Sequence, residues 1–264
     1  MRIVFLGASE LGYLACKSLI DQKYSVVGIL TIPSEFKIKY RTQASETTVK
    51  NVLYKDFLDF STFGIPVVEA TTKLKEYSSL IQSWNPDIII VIGWYYMIPD
   101  VIMRIPAKGV IGIHASLLPK YRGNAPLVWA LINGEKETGV SLFYIEGGVD
   151  EGDIIAQQRF EILPEDNISH LLEKTKTSTL NVLAEFLPLI QSGNAPRIKQ
   201  NNKDASVFPA RTPADGEIDW SWEPERIANF IRAQTKPYPG AFTIIGDKKV
   251  ILWDAEVVKI DTPI

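Results

Sequence analysis

The sequence predicts an α/β fold: an open, mostly parallel twisted sheet followed by a small β-rich C-terminal domain. Three observations lead there. Short runs such as Ile88-Ile89-Ile90-Val91-Ile92 are continuously apolar rather than alternating, as in parallel strands buried on both faces. Segments of helical period separate these runs, so strands and helices alternate. After Gly193 the chain turns polar and proline-bearing, then resumes with two shorter β-like runs.

The elements follow in order. Ile3-Val4-Phe5-Leu6 reads as a strand, and Leu11, Leu14, Ala15 and Leu19 recur at helical spacing after it. Tyr24 to Leu30 is a second β-branched run, which completes a βαβ opening. Gly7, Ser9 and Gly12 approach a dinucleotide fingerprint, but Ser9 stands where the middle glycine belongs. The pattern therefore predicts a tight strand-to-helix turn. Thr31 to Gly64 is polar and irregular, with Lys37, Lys39, Tyr40, Arg41 and Lys50. Loops of that length usually serve function or mobility.

Leu74 to Trp84 predicts a helix, and Val110 to Ile113 a further buried strand. Ala125 to Asn133 predicts a helix ended by Gly134, and Gly139 to Ile145 alternates as a strand. Asn167 to Ser192 is a long amphipathic helix, with Asn167 as N-cap and Gly193 as stop. We divide the chain into a catalytic part, residues 1–193, a linker, 194–204, and a small domain, 205–264. The last contains a helix near Pro224 to Gln234 and the runs Ala241 to Ile245 and Lys248 to Trp253.

Composition narrows the function. The 264 residues suffice for a sizeable core, with 46% hydrophobic and 22% charged residues. A net charge of −3 gives no global pull towards nucleic acid. A single cysteine, Cys16, excludes an internal disulfide and suits a reducing, cytoplasmic setting. Glu10, Lys17 and two glycines interrupt the apolar start, and no later stretch is long enough to predict a membrane span.

Two clusters carry chemistry. His114 directly follows a buried strand, where open α/β sheets bind ligands. The other histidine, His170, falls in an amphipathic helix and reads as a surface or packing residue. Asp150 lies in the glycine-rich Glu146-Gly147-Gly148-Val149-Asp150-Glu151-Gly152-Asp153. Its acids lack EF-hand spacing, so no metal is expected. A carboxylate beside an imidazole favours the charged ring and suits proton handling.

The segment His114-x-Ser116-Leu117-Leu118-Pro119-x-x-Arg122-Gly123-x-x-Pro126 resembles the formyltransferases that use formyltetrahydrofolate. Val149-Asp150-Glu151-Gly152-Asp153 is similar to their aspartate loop. Arg211-x-Pro213-x-Asp215-Gly216 and Pro237-Tyr238-Pro239-Gly240-Ala241-Phe242 resemble the C-terminal segments of methionyl-tRNA and nucleotide-sugar formyltransferases.

The resemblance implies a Rossmann-like formyltransferase domain and 10-formyltetrahydrofolate as co-substrate. It implies His114 and Asp150 as catalytic residues. The family's usual asparagine, two positions before the histidine, is Gly112 here. Folate is expected against Trp94, Tyr96, Met97, Ile98 and Pro99, and against Gly147, Gly148 and Val149. Ser116, Lys120, Tyr121, Arg122, Gly123 and Tyr238 are expected at the acceptor.

The mild acidity, with Lys37, Lys39 and Arg41 placed to hold a pyrophosphate, favours a nucleotide-linked amino sugar as acceptor. Methionyl-tRNA is the alternative. A second alternative is a catalytically weakened homologue that binds folate or nucleotide, because Gly112 lacks an amide. The resemblance also leaves room for a homodimer.

Overall fold

The computed structural model describes residues 1–38 and 47–260. Its first elements are β1 (Arg2–Leu6), α1 (Glu10–Asp21) and β2 (Ser25–Thr31), then β3 (Glu35–Ile38) and β4 (Thr47–Lys50). β5 (Val67–Glu69), α2 (Ser78–Ser83), β6 (Ile88–Val91), α3 (Asp100–Met103) and β7 (Val110–His114) follow. Next come β8 (Arg122–Gly123), α4 (Pro126–Ile132), β9 (Glu137–Tyr144), β10 (Ile154–Glu161) and α5 (Ile168–Ser192). The C-terminal part holds β11 (Val207–Phe208), α6 (Pro224–Arg232), β12 (Ala241–Ile245) and β13 (Lys248–Leu252).

Seven strands form the main sheet in the order β10-β9-β7-β6-β1-β2-β5. The pairs from β7 through β5 are parallel, while β9 and β10 run antiparallel at one edge. Strand β1 explains the apolar runs. Its Ile3 and Phe5 enter one core cluster, and Val4 and Leu6 enter another on the opposite face. With both faces covered, alternation has nothing polar to show.

The chain leaves β1 towards β2 on one side, and β6 returns on the other, so the strand order reverses between β1 and β6. A crevice opens at such a reversal, outside the carboxyl ends of the strands. Ser9 follows β1 there and caps α1, its side chain accepting from the Gly12 N–H at 3.3 Å.

Several boundaries sharpen. The helix expected from Leu74 is a 3-10 turn, Leu74–Tyr77, that passes into α2. The region from Thr31 to Gly64 is not loop throughout, since β3 and β4 pair within it. Lys39, Tyr40 and Arg41 lie outside the described residues. Helix α5 starts at its Asn167 cap and ends at Gly193 in the left-handed region. His170 is the third residue of that capping box, its Nδ1 accepting from the Asn167 N–H. The C-terminal residues Ile218, Phe230, Ile231 and Ala241 share a core with Leu127 and Leu131 of α4 and Leu171 of α5. No helix among the described residues is long and apolar enough to cross a membrane.

Candidate active site

His114 ends β7, and its buried ring meets two acceptors. Nε2 lies 2.7 Å from the Tyr121 carbonyl oxygen, and Nδ1 lies 3.5 Å from Asp150 Oδ2. A carbonyl can only accept, so Nε2 carries a proton. A ring protonated at both nitrogens satisfies both neighbours, and only that form is an ion pair with Asp150.

Asp150 sits on the turn between β9 and β10 at φ +54°, a left-handed conformation costly for a non-glycine residue. The Gly123 N–H donates to its Oδ2 at 2.9 Å. Gln200 holds the turn from behind, its Nε2 donating to the carbonyls of Asp150 (2.8 Å) and Gly152 (2.7 Å). Buried Arg122 secures Gln200 in turn, through Nε (3.0 Å) and Nη2 (2.7 Å) to Oε1. Asp150 Oδ1 has no hydrogen-bond donor among the described residues.

Two cavities meet at His114. One of about 870 Å3 is lined by Trp94, Tyr96, Met97, Ile98, Gly112 and Gly148, with Val149 and Asp150. The other, of about 580 Å3, is lined by Ser9, Lys55, Lys176, Pro237 and Tyr238. Gly93 to Tyr95, Ile113, His114, Gly123 and Asn124 line both. Both volumes suit small ligands. In the second cavity Lys176 pairs with Glu10 at 2.8 Å and Glu173 at 2.6 Å. Burial pushes the Tyr238 phenol up to about 12, so it remains a neutral hydroxyl at ordinary pH.

Several expected residues lie elsewhere. Pro99 lines a different cleft, and Gly147 a small hollow beside Arg104 and Arg197. Ser116 is buried and donates to the Lys120 carbonyl at 2.7 Å. Lys120 and Arg122 line neither cavity. The Tyr121 ring is turned inward, its hydroxyl donating to Glu135 at 2.6 Å, and only its carbonyl reaches the site. Lys37 does not line the second cavity. These segments were legible as important, but the loop turns Ser116, Tyr121 and Arg122 inward to serve the framework, while Lys120 is exposed outside both cavities.

The structure adds detail at Asn124 and Trp94, and one residue that no motif marked, Gln200. Asn124 lines both cavities, and its carboxamide makes no hydrogen bond with the described residues. The Trp94 indole N–H, in the shared wall, is buried without a partner among the described residues. Gln200 is separated from Asp150 by fifty positions, and only folding joins them. Gly112 lines the larger cavity, and a β-carbon there would lie 2.9 Å from Ile145 Cδ1 and 3.2 Å from the Val91 carbonyl. No cluster of His, Cys, Asp and Glu suited to a metal occurs among the described residues.

Known proteins share this architecture. A methionyl-tRNA formyltransferase of Desulforamulus reducens is 35% identical over 97% of this chain and 78% of its own length. A sugar N-formyltransferase of Shewanella superposes with a TM-score of 0.74 at 15% identity, covering 98% of this chain and 99% of that one. An N-formyltransferase of Helicobacter canadensis, solved with folinic acid and dTDP-3-aminofucose, gives 0.71 at 21% identity over 95% and 86%. These two likenesses establish the fold. Residues 1–187 match the formyl transferase family, and residues 211–263 match its C-terminal domain. The chain is a formyltransferase and belongs to the formyl transferase family.

Proposed function

We propose that this chain moves a formyl group from 10-formyltetrahydrofolate, held in the larger cavity, to a primary amine held in the smaller one. One observation carries the reading: His114, paired with Asp150, lines both cavities. The amine nitrogen attacks the formyl carbon, and the carbonyl oxygen becomes an oxyanion. Asp150 Oδ1 takes the amine proton, because that oxygen is free while Oδ2 is held. His114, clamped between Tyr121 and Asp150, faces the oxyanion and stabilises it. Collapse expels the folate nitrogen, which ends with the proton the amine lost.

Gly112 gives the oxyanion no side chain. The Asn124 carboxamide is the donor we assign instead, since it lines both cavities uncommitted. Gly148, Val149, Trp94, Tyr96, Met97 and Ile98 are assigned to the folate, and Tyr238 to the acceptor. The separate family matches support our division into residues 1–193, a linker at 194–204 and a part from 205.

The acceptor reading changes from the one the sequence favoured. Relatives 32–35% identical over 96–98% of this chain are named methionyl-tRNA formyltransferase, which supports the methionyl α-amine of a charged tRNA as acceptor. A nucleotide-linked amino sugar is the second reading, favoured by the smaller cavity's size and by the net charge of −3. Mass spectrometry after incubation with 10-formyltetrahydrofolate, charged initiator tRNA and nucleotide-linked amino sugars tests both. We expect formyl-methionyl-tRNA. A formylated sugar alone reverses the order, and no product from any amine defeats the proposed reaction.

A further inference from the structure

Three stretches of the smaller cavity's wall come from distant parts of the chain: Ser9 to Leu11 after β1, Val52 to Lys55 after β4, and Gly93 to Tyr95 after β6. One buried side chain joins them. Asn51 follows β4, and its Nδ2 donates to the Ala8 carbonyl at 2.9 Å. Its Oδ1 accepts from the Leu53 N–H at 3.0 Å and from the Tyr95 hydroxyl at 2.7 Å. These partners fix the amide's orientation, because a carbonyl only accepts and a peptide N–H only donates. Burial, aided by the nearby Tyr238, holds the Tyr95 phenol above its ordinary value, so that oxygen keeps its proton and donates. A buried amide with oxygen and nitrogen both committed is costly to disturb.

The three links are not equivalent. The turn after β1 and the wall after β6 are already close: the Ala8 N–H donates to the Gly93 carbonyl at 3.0 Å, and a β-carbon on Gly93 would lie 1.7 Å from Ser9 Oγ. Backbone bonds join segment 52–55 to the same turn. The Glu10 N–H donates to the Leu53 carbonyl at 2.8 Å, and the Lys55 N–H to the Ala8 carbonyl at 3.4 Å. The bond between Tyr95 and Asn51 ties this segment to the wall that faces both cavities. Segment 52–55 lines the smaller cavity and not the larger one. Loosening that bond therefore alters the acceptor side and spares the donor side, since the Tyr95 ring stays packed on Phe36 at 4.9 Å.

We propose that Asn51 is a positioning residue for the acceptor: through Tyr95 it sets how segment 52–55 stands against the wall that holds His114. The proposal rests on the reading above that the acceptor occupies the smaller cavity. Asn51 itself lines neither cavity, so it acts by placing residues that do.

Steady-state kinetics on the full chain test this, with charged initiator tRNA or a nucleotide-linked amino sugar as acceptor, whichever the native chain formylates. Tyr95→Phe, Asn51→Ala and the double variant are compared with the native chain. Tyr95→Phe removes one hydroxyl and keeps the ring, so it decides the matter even where Asn51→Ala fails to fold. It should raise the acceptor KM roughly fivefold, the loss expected of one hydrogen bond, with kcat and the donor KM near their native values. The double variant should lose little beyond Asn51→Ala, because both changes remove the same bond. An unchanged acceptor KM in Tyr95→Phe overturns the proposal. So does a rise in both KM values with a fall in kcat, which marks general loosening rather than placement of the acceptor wall. Additive losses in the double variant also overturn it, since the two residues then act apart. A native chain that formylates neither acceptor defeats the acceptor reading and this proposal together, an outcome distinct from active variants with a native acceptor KM.

Discussion

Ile145 Cδ1 fills the space that a β-carbon on Gly112 would need, at a separation of 2.9 Å. The missing amide and the isoleucine thus form one feature, an apolar patch in the wall of the larger cavity. Restoring asparagine alone overpacks this patch, which typically costs about 1–3 kcal/mol. We expect Gly112→Asn to lower the melting temperature and to leave turnover no higher. Adding Ile145→Val should recover stability and raise kcat. Thermal melts and initial rates on both variants check this, and a faster Gly112→Asn single variant would contradict it.

The proposed proton path makes Asp150 the base. Asp150→Asn keeps the Gly123 contact in shape but removes the proton acceptor, so kcat should fall roughly 10²–10⁴-fold with little change in donor affinity. His114→Ala should cost a similar amount. The double variant should lose little beyond the worse single one, as for groups that act as a unit. Additive losses in the measured rates would mean the two act separately.

Tyr121 serves His114 only through its backbone carbonyl. Tyr121→Phe removes the hydroxyl that bonds Glu135 and should cost about 1 kcal/mol of stability. The KM for the acceptor should not change. A raised acceptor KM at unchanged stability would return the ring to the substrate site.

Asp166 gives the fold a pH dependence. Burial pushes its carboxyl up, but bonds from Lys174 and the Leu163 N–H, with the charges of Lys174 and His170, hold it below its ordinary value. Folding therefore favours the ionised form. That stabilisation is complete above the unfolded value of about 3.9 and is lost as pH falls through the lower folded value. Asp166→Asn should destabilise by about 1–3 kcal/mol at neutral pH. Denaturant midpoints of native and variant chains should converge in acid, and a gap constant with pH would refute the assignment.

Much of the fold was legible because burial on both faces leaves uninterrupted apolar strands, as in β6. The antiparallel edge was less so: β10 has a half-exposed outer half, and only its pairing with β9 reveals its direction. The same divide runs through the site. His114 and Asp150 stood out from their motifs, since strand ends and glycine turns are local. Ser116, Lys120, Tyr121 and Arg122 shared the motif but not the cavity, because side-chain direction depends on left-handed turns at Tyr121 and Ala125. Gln200 gained its place from partners distant in the chain.

The wall shared by the two cavities has a consequence for inhibition. His114, Gly123 and Asn124 face both spaces, so a single molecule joining a folate-like head to an acceptor fragment would contact the same wall from both sides. Such a bisubstrate ligand loses translational freedom once rather than twice, and its affinity should exceed that of either half alone.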